Sequence, residues 1–259
     1  NRLVYENRAF AIEEIDVQTD GMIPVDQLRR WSGVKPEENL LALDLGRVKR
    51  DLEMVPLVRS VSVERILPRG LRIRVTEREP IAQINVPRPR ASGGIEMSVY
   101  QLDADGWVIL PLEPRDRATS PSKSDESLPL LRGINANTLQ PGRRLTAPQV
   151  QAALQFLVAF EQSPMAGLAD LKQVDVSSPE VLMVTTGQGS EVTFGLTDFE
   201  QQLRRWHAIF ESGRKTGNAI ATLDLAVTNN VPLRWLEASA VPPAAPKLSK
   251  PLRPKKKHV

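Results

Sequence analysis

The sequence predicts an α+β protein: a small βααββ unit first, then a longer, mostly antiparallel β region flanked by two helices. Three observations carry this. Leu45, Val48 and Leu52 fall at i, i+3 and i+7, which is one face of a helix. After the turn Pro68-Arg69-Gly70, Leu71, Ile73 and Val75 alternate with Arg72, Arg74 and Thr76, which is a strand with one apolar side. Beyond residue 80, short apolar runs are separated by Gly, Pro, Ser and Asn turns, and two longer amphipathic stretches interrupt them.

Within the first unit, Phe10, Ile12, Ile15 and Val17 predict a strand with one slip in its alternation, as a β-bulge would give. Asp20-Gly21 turns it. Pro24 to Trp31 predicts a short helix, with proline in its first turn and Gly33 just past its end. The Asp44 carboxylate suits the free N–H groups of Leu45 to Arg47, so a second helix starts there, and Pro56 cannot continue it. Val58, Val61, Val63 and Ile66 form the next strand. The resulting hairpin must lay its apolar face on something, and the preceding helix is nearest.

The second region opens with a strand from Ile81, expected to be interrupted by Pro87-Arg88-Pro89-Arg90 and Gly93-Gly94. Val99–Leu102 and Trp107–Leu110 predict a hairpin about Asp103-Ala104-Asp105-Gly106. That acidic turn invites a calcium-loop reading. Such a loop needs an acid or amide at its fifth position and glycine at its sixth, and here Trp107 is fifth. A turn that tolerates left-handed backbone is the simpler reading. Residues 113–127 are polar and rich in Pro and Ser, as a surface loop is.

Leu128–Gly133 reads as a strand. Thr146 is the expected cap of a helix running to about Gln162, with Val150, Leu154, Leu157, Val158 and Phe160 as its apolar residues. Strands follow at Leu171–Val176, Val181–Thr185 and Glu191–Phe194. Gly187-Gln188-Gly189 lies between two of them with no helix start after it, so it reads as a hairpin turn and not a phosphate loop. Gly195–Gly213 predicts a helix begun by Thr197 or Asp198, with Phe199, Leu203, Trp206 and Phe210 as its core stripe. A last pair, Ala219–Val227 and Val231–Leu236, turns at Thr228-Asn229-Asn230.

Catalytic constellations are missing from the sequence. There is no Cys, there are two scattered His, and no nucleophile elbow, phosphate loop or His-Glu-x-x-His occurs. His207 sits beside a core stripe with no acid or nucleophile motif near it, and Glu13-Glu14 and Glu37-Glu38 read as solvated charge. The expectation is a protein that is not an enzyme and needs no cofactor. No run of eighteen apolar residues occurs, so nothing here spans a membrane as a helix. The chain begins at Asn1, which fits prior removal of a leader or anchor. Six of the basic residues (Lys247, Lys250, Arg253, Lys255, Lys256 and Lys257) lie beyond Glu237, so the net charge of +3 belongs to a tail and the rest is slightly acidic. That Pro-, Ala- and Lys-rich tail lacks the apolar content to fold. Without interleaved aromatics it is not expected to bind nucleic acid.

Several short motifs in one order carry a resemblance. They are Leu43-Asp44, Val55-Pro56-Leu57-Val58, Val63-Glu64-Arg65, Leu67-Pro68 and Val75-Thr76-Glu77-Arg78-Glu79-Pro80. Together they resemble the POTRA domain of the bacterial cell-division proteins of the FtsQ/DivIB family. The Asp103–Gly106 hairpin, Leu128-Pro129 to Gly133 and Asp224-Leu225 are similar to later parts of that family, although Ala226 stands where Arg is usual. The resemblance implies a juxtamembrane lead-in at 1–9, a POTRA domain at 10–79, a β domain at 80–236 and a disordered basic tail at 237–259. It implies a non-enzymatic scaffold of the division complex, linking early and late division proteins and binding FtsB/DivIC-like and FtsL-like partners. It also implies an N-terminal membrane helix absent from this sequence, with these residues periplasmic at the division septum of the inner membrane. The alternative is a POTRA-bearing module of an outer-membrane assembly or secretion system.

The family's β domain ends in a strand at an open sheet edge. Here that strand is Val231-Pro232-Leu233-Arg234-Trp235-Leu236, and Val231, Leu233, Arg234, Trp235 and Leu236 are the expected partner-binding residues. Strand backbone groups alternate sides, and Pro232 has no N–H. The expectation is that 231, 233 and 235 pair inward and 232, 234 and 236 form the free edge, where a partner strand adds on. Trp235 is the expected side-chain anchor, with a place in the core as the alternative.

Overall fold

The computed structural model describes residues 8–89, 93–110 and 128–236. Most of the expected lead-in, the polar loop at 113–127 and the basic tail from 237 lie outside the described residues.

The first unit comprises β1 (Glu14–Thr19), α1 (Val25–Ser32), α2 (Leu45–Glu53), β2 (Val58–Ile66) and β3 (Gly70–Glu77). Its sheet has the order β1-β3-β2, with β1 parallel to β3 and β2 antiparallel to it. The βααββ order agrees with the sequence. Asp44 caps α2 as expected, its carboxylate accepting from the Arg47 N–H at 3.0 Å. Gly33 ends α1 in the left-handed conformation. Leu71, Ile73 and Val75 of β3 are buried with Leu28, Val48 and Leu52 of the two helices, so the hairpin does lie on α2. Glu77 closes the corner from β1 into α1: its carboxylate accepts from Thr19 Oγ1 at 2.5 Å, Met22 N at 2.7 Å and Ile23 N at 3.0 Å.

One boundary differs. The strand expected from Phe10 begins only at Glu14. Arg8–Phe10 is a 3-10 turn and Ala11 bridges Asn39. The Phe10 carbonyl accepts from Leu40 N–H and Ile12 N–H donates to the Glu38 carbonyl, so these residues pair with the loop before α2 instead of with the sheet. That loop supplies the reason for the apparent slip in alternation.

The second sheet has nine strands in the order β12-β11-β10-β9-β8-β7-β4-β5-β6. They are β4 (Pro80–Pro89), β5 (Ile95–Asp103), β6 (Val108–Ile109), β7 (Leu130–Arg132), β8 (Leu171–Asp175), β9 (Val181–Thr186), β10 (Glu191–Gly195), β11 (Ile220–Asp224) and β12 (Leu233–Trp235). Five of the eight pairings are antiparallel; β4–β7, β7–β8 and β10–β11 are parallel. Helices α3 (Pro148–Gln162) and α4 (Phe199–Thr216) cover one face, α3 against β4 and β9 and α4 against β10. An aromatic cluster fills the layer between: Phe156 lies 4.6 Å from Phe194, and Phe194 meets Trp206 edge-on at 5.7 Å.

Three expectations for this sheet need correction. The prolines at 87 and 89 do not interrupt β4, which pairs with β5 through Pro87↔Met97 and Pro89↔Ile95. The Gln83 N–H donates to the Pro129 carbonyl on the β7 side. Alternation carries the nitrogens of Pro87 and Pro89 to that same side, past the end of β7, where no ladder donor is needed. Second, Ala147 and not Thr146 occupies the N-cap of α3, because Pro148 takes the first helical position, which its fixed φ favours. In α3 the expected Val158 is exposed, while Phe156 is buried beside the expected Phe160. Third, α4 does not stop at Gly213 but runs on to Thr216, with Gly217 as its left-handed end.

Candidate partner-binding edge

β12 is the terminal strand of the nine-stranded sheet. It pairs antiparallel with β11 through Leu223↔Leu233, Thr222↔Arg234 and Ile220↔Trp235, with a bulge between Ile220 and Thr222. Ser190 Oγ donates to the Ile220 carbonyl at 2.7 Å, which ties the bulge to the turn before β10. Arg205 Nη2 donates to the Val227 carbonyl at 2.6 Å and holds the turn that leads into the strand.

The hydrogen bonds reverse the expected facing of the backbone. Asp224 N–H donates to the Pro232 carbonyl at 3.0 Å, and Leu236 N–H donates to the Ala219 carbonyl at 2.7 Å. Residues 232 and 236 therefore face β11, and alternation puts Arg234 with them. Leu233 and Trp235, with Val231 before them, present their N–H and C=O groups to the free edge. The proline lies where its missing donor weakens the inner ladder, so the outer edge keeps its donors. The expectation that 232, 234 and 236 form the open edge is thus corrected.

Side chains divide by face. Leu233 and Trp235 are half-buried and pack against the core beneath α4, as does Val231, while Pro232 and Arg234 are exposed. The Trp235 indole rests on the backbone of α4: a Cβ built on Gly213 would stand 2.6 Å from Trp235 Cζ3. Sequence pattern assigns Gly213 only the role of a helix stop. Its packing role has one signal, a glycine in a helix pattern that continues past it through Lys215. On the uncovered face beside Pro232, Met183, Thr193, Thr222 and Asp224 line a shallow groove of about 150 Å³.

A larger open cleft of about 650 Å³ lies between α3 and α4, lined by Gln155, Ala159, Asp198, Phe199 and Arg204, away from β12. Its residues include no nucleophile paired with a base. Among the described residues no group of three or more His, Cys, Asp or Glu is placed to hold a metal. At the acidic turn, Asp103 Oδ1 accepts from Asp105 N at 3.0 Å and Trp107 N at 2.8 Å, and Oδ2 pairs with Arg78 at 2.8 Å, so its oxygens are committed to the protein. Gly187–Gly189 is a hairpin turn closed by Thr186 N–H to the Ser190 carbonyl. Two carboxyls titrate below the ordinary aspartate range, both in the first unit. Asp16 is held down by its hydrogen bond from Arg72, and Asp44 by the Arg47 backbone N–H it caps.

This architecture, a βααββ unit followed by a helix-covered β sheet that ends in β12 among the described residues, defines a two-part protein of the POTRA-bearing class. A family model for the FtsQ-type POTRA domain matches residues 10–78, and one for the C-terminal part of the cell-division protein FtsQ/DivIB matches residues 95–226. The chain belongs to the FtsQ/DivIB family of bacterial cell-division proteins. Among its relatives, the cell division protein FtsQ of Syntrophotalea carbinolica is 26% identical over 231 residues, covering 89% of this chain and 76% of that protein. The FtsQ of an Anaeromyxobacter species is 24% identical over 86% of this chain and 70% of its own length. That of Koribacter versatilis is 23% identical over 95% of this chain and 65% of its own length.

Proposed function

We propose that this chain is a non-enzymatic scaffold of the division complex that binds extended segments of other division proteins along the free edge of β12. The observation that carries the reading is the terminal strand itself, whose residues 231, 233 and 235 turn their backbone groups away from β11, with no partner strand beside them among the described residues. A partner strand adds there by main-chain pairing, and its alternate side chains meet Leu233 and Trp235 on one face and Arg234 on the other. Val231 and Leu236 flank this contact. The partners implied are FtsB/DivIC-like and FtsL-like proteins, with the chain held at the inner membrane by a preceding helix and these residues periplasmic at the septum. In this reading the POTRA and β domains divide near Glu79-Pro80.

The test is a binding titration against the extracytoplasmic segments of the FtsB- and FtsL-like proteins of the same organism. It uses the intact chain, a version ending at Ala238 and Trp235→Ala with its fold checked. Binding that survives loss of the tail and weakens in Trp235→Ala is expected. Binding lost with the tail alone moves the site to the lysines, and no binding in any version defeats the scaffold reading.

A further inference from the structure

The default for two sheets joined by a short connection is relative motion, unless their interface is apolar and extensive. Here the acidic turn of the second sheet is inserted into the first unit. Ile109, one residue of β6, is fully buried and belongs to the core formed by α1, α2 and the three-stranded sheet. Arg78, just past β3, pairs with Asp103 at 2.8 Å with side chains only 10% and 7% exposed. The same guanidinium lies 4.3 Å from the centre of the Trp107 ring. The Arg78 N–H donates to the Leu57 carbonyl at 2.7 Å, so the arginine is fixed from its own side as well.

The ion pair is directional, whereas the apolar contact of Ile109 is not. A shifted docking, with the units still in contact, would leave a desolvated arginine and a desolvated aspartate each without its partner, so the pair penalises every orientation but this one. Asp103 is rigid before it meets Arg78, since its other oxygen holds two backbone N–H groups of its own turn. A pre-ordered carboxylate, a stacked guanidinium and a buried isoleucine select one relative orientation.

We infer that Arg78, Asp103 and Trp107 form a lock between the two sheets, so that the POTRA unit and the β12 edge move as a single rigid body. The lock holds whatever binds at β12. The outer pair Arg59–Asp105, 3.3 Å apart with side chains 61% and 50% exposed, is incidental to it.

The experiment is backbone ¹⁵N relaxation on the full chain, comparing amides of β1–β3 with those of β8–β11. The wild type shows one rotational correlation time for both sets. Arg78→Met loses the shared time, and the first unit tumbles faster while its peaks stay dispersed. Asp103→Asn keeps the acceptor for the turn but removes the charge, and it produces the same loss. Arg59→Ala keeps the single time. Two correlation times in the wild type overturn the inference, even if a variant fails to fold. A single time retained in both Arg78→Met and Asp103→Asn overturns it too, as does decoupling by Arg59→Ala.

Discussion

The indole of Trp235 stacks directly on the backbone of Gly213, closely enough that a methyl group at 213 would meet Cζ3 at 2.6 Å and the Asn218 carbonyl at 2.8 Å. The last strand is therefore seated by a residue whose contribution is having no side chain. Alanine is the better helix former, yet at this position it overfills the contact. Gly213→Ala is expected to cost about 1–3 kcal/mol, read by chemical denaturation. Adding Trp235→Ala to it recovers part of that loss, because the two residues share one contact and their effects do not add.

The facing of β12 makes prolines at two neighbouring positions behave oppositely. Leu233→Pro removes an N–H that points to the free edge, together with some packing beneath α4, so it is expected to lower the melting temperature less than Arg234→Pro does, while the proposed partner binding weakens. Arg234→Pro removes a donor to β11 and lowers the melting temperature. Unfolding by Leu233→Pro, with Arg234→Pro tolerated, would mean that the strand faces β11 the other way.

Leu52 is fully buried beneath β3. Leu52→Ala leaves a cavity there and is expected to destabilise the POTRA unit by about 2–5 kcal/mol, measured by denaturant unfolding at constant m.

Asp16 and Asp44 both have folded-state pKa values below the ordinary value of about 3.9. A depressed carboxyl adds stability that is fully present above its unfolded pKa and is lost as pH falls through the folded one. Stability should therefore fall below about pH 4. Asp16→Asn with Asp44→Asn should flatten that acid limb while leaving the slope near neutrality unchanged.

Much of the first unit is legible in the sequence because its signals are local. Asp44 three residues before an acceptable donor, Pro56 after the helix and strict alternation from Leu71 to Val75 each specify one conformation. Pattern misleads where a distant partner decides. Phe10 and Ile12 are apolar at strand spacing, yet the loop before α2 captures their backbone groups. Pro87 and Pro89 look like breaks until β7 is seen to end short of them. The terminal strand is recognisable, but its facing is set by Asp224, whose N–H bonds the Pro232 carbonyl, and nothing in the sequence of β12 marks that pairing. Arg78 and Asp103 stand 25 residues apart, and nothing in either segment announces the other.

The prolines of β4 also bear on where the sheet can be extended. On its β7 side the far half of that strand runs past the end of β7, and it offers no N–H at 87 or 89. At the β6 end, the Val108 N–H and carbonyl are already taken by Arg143 and Gly142. Two stretches of the sheet are thus poor in free donors, one through prolines and the other through pairing. An incoming backbone laid along the far half of β4 would find carbonyls but no donor at 87 and 89, and so could close only half a ladder there.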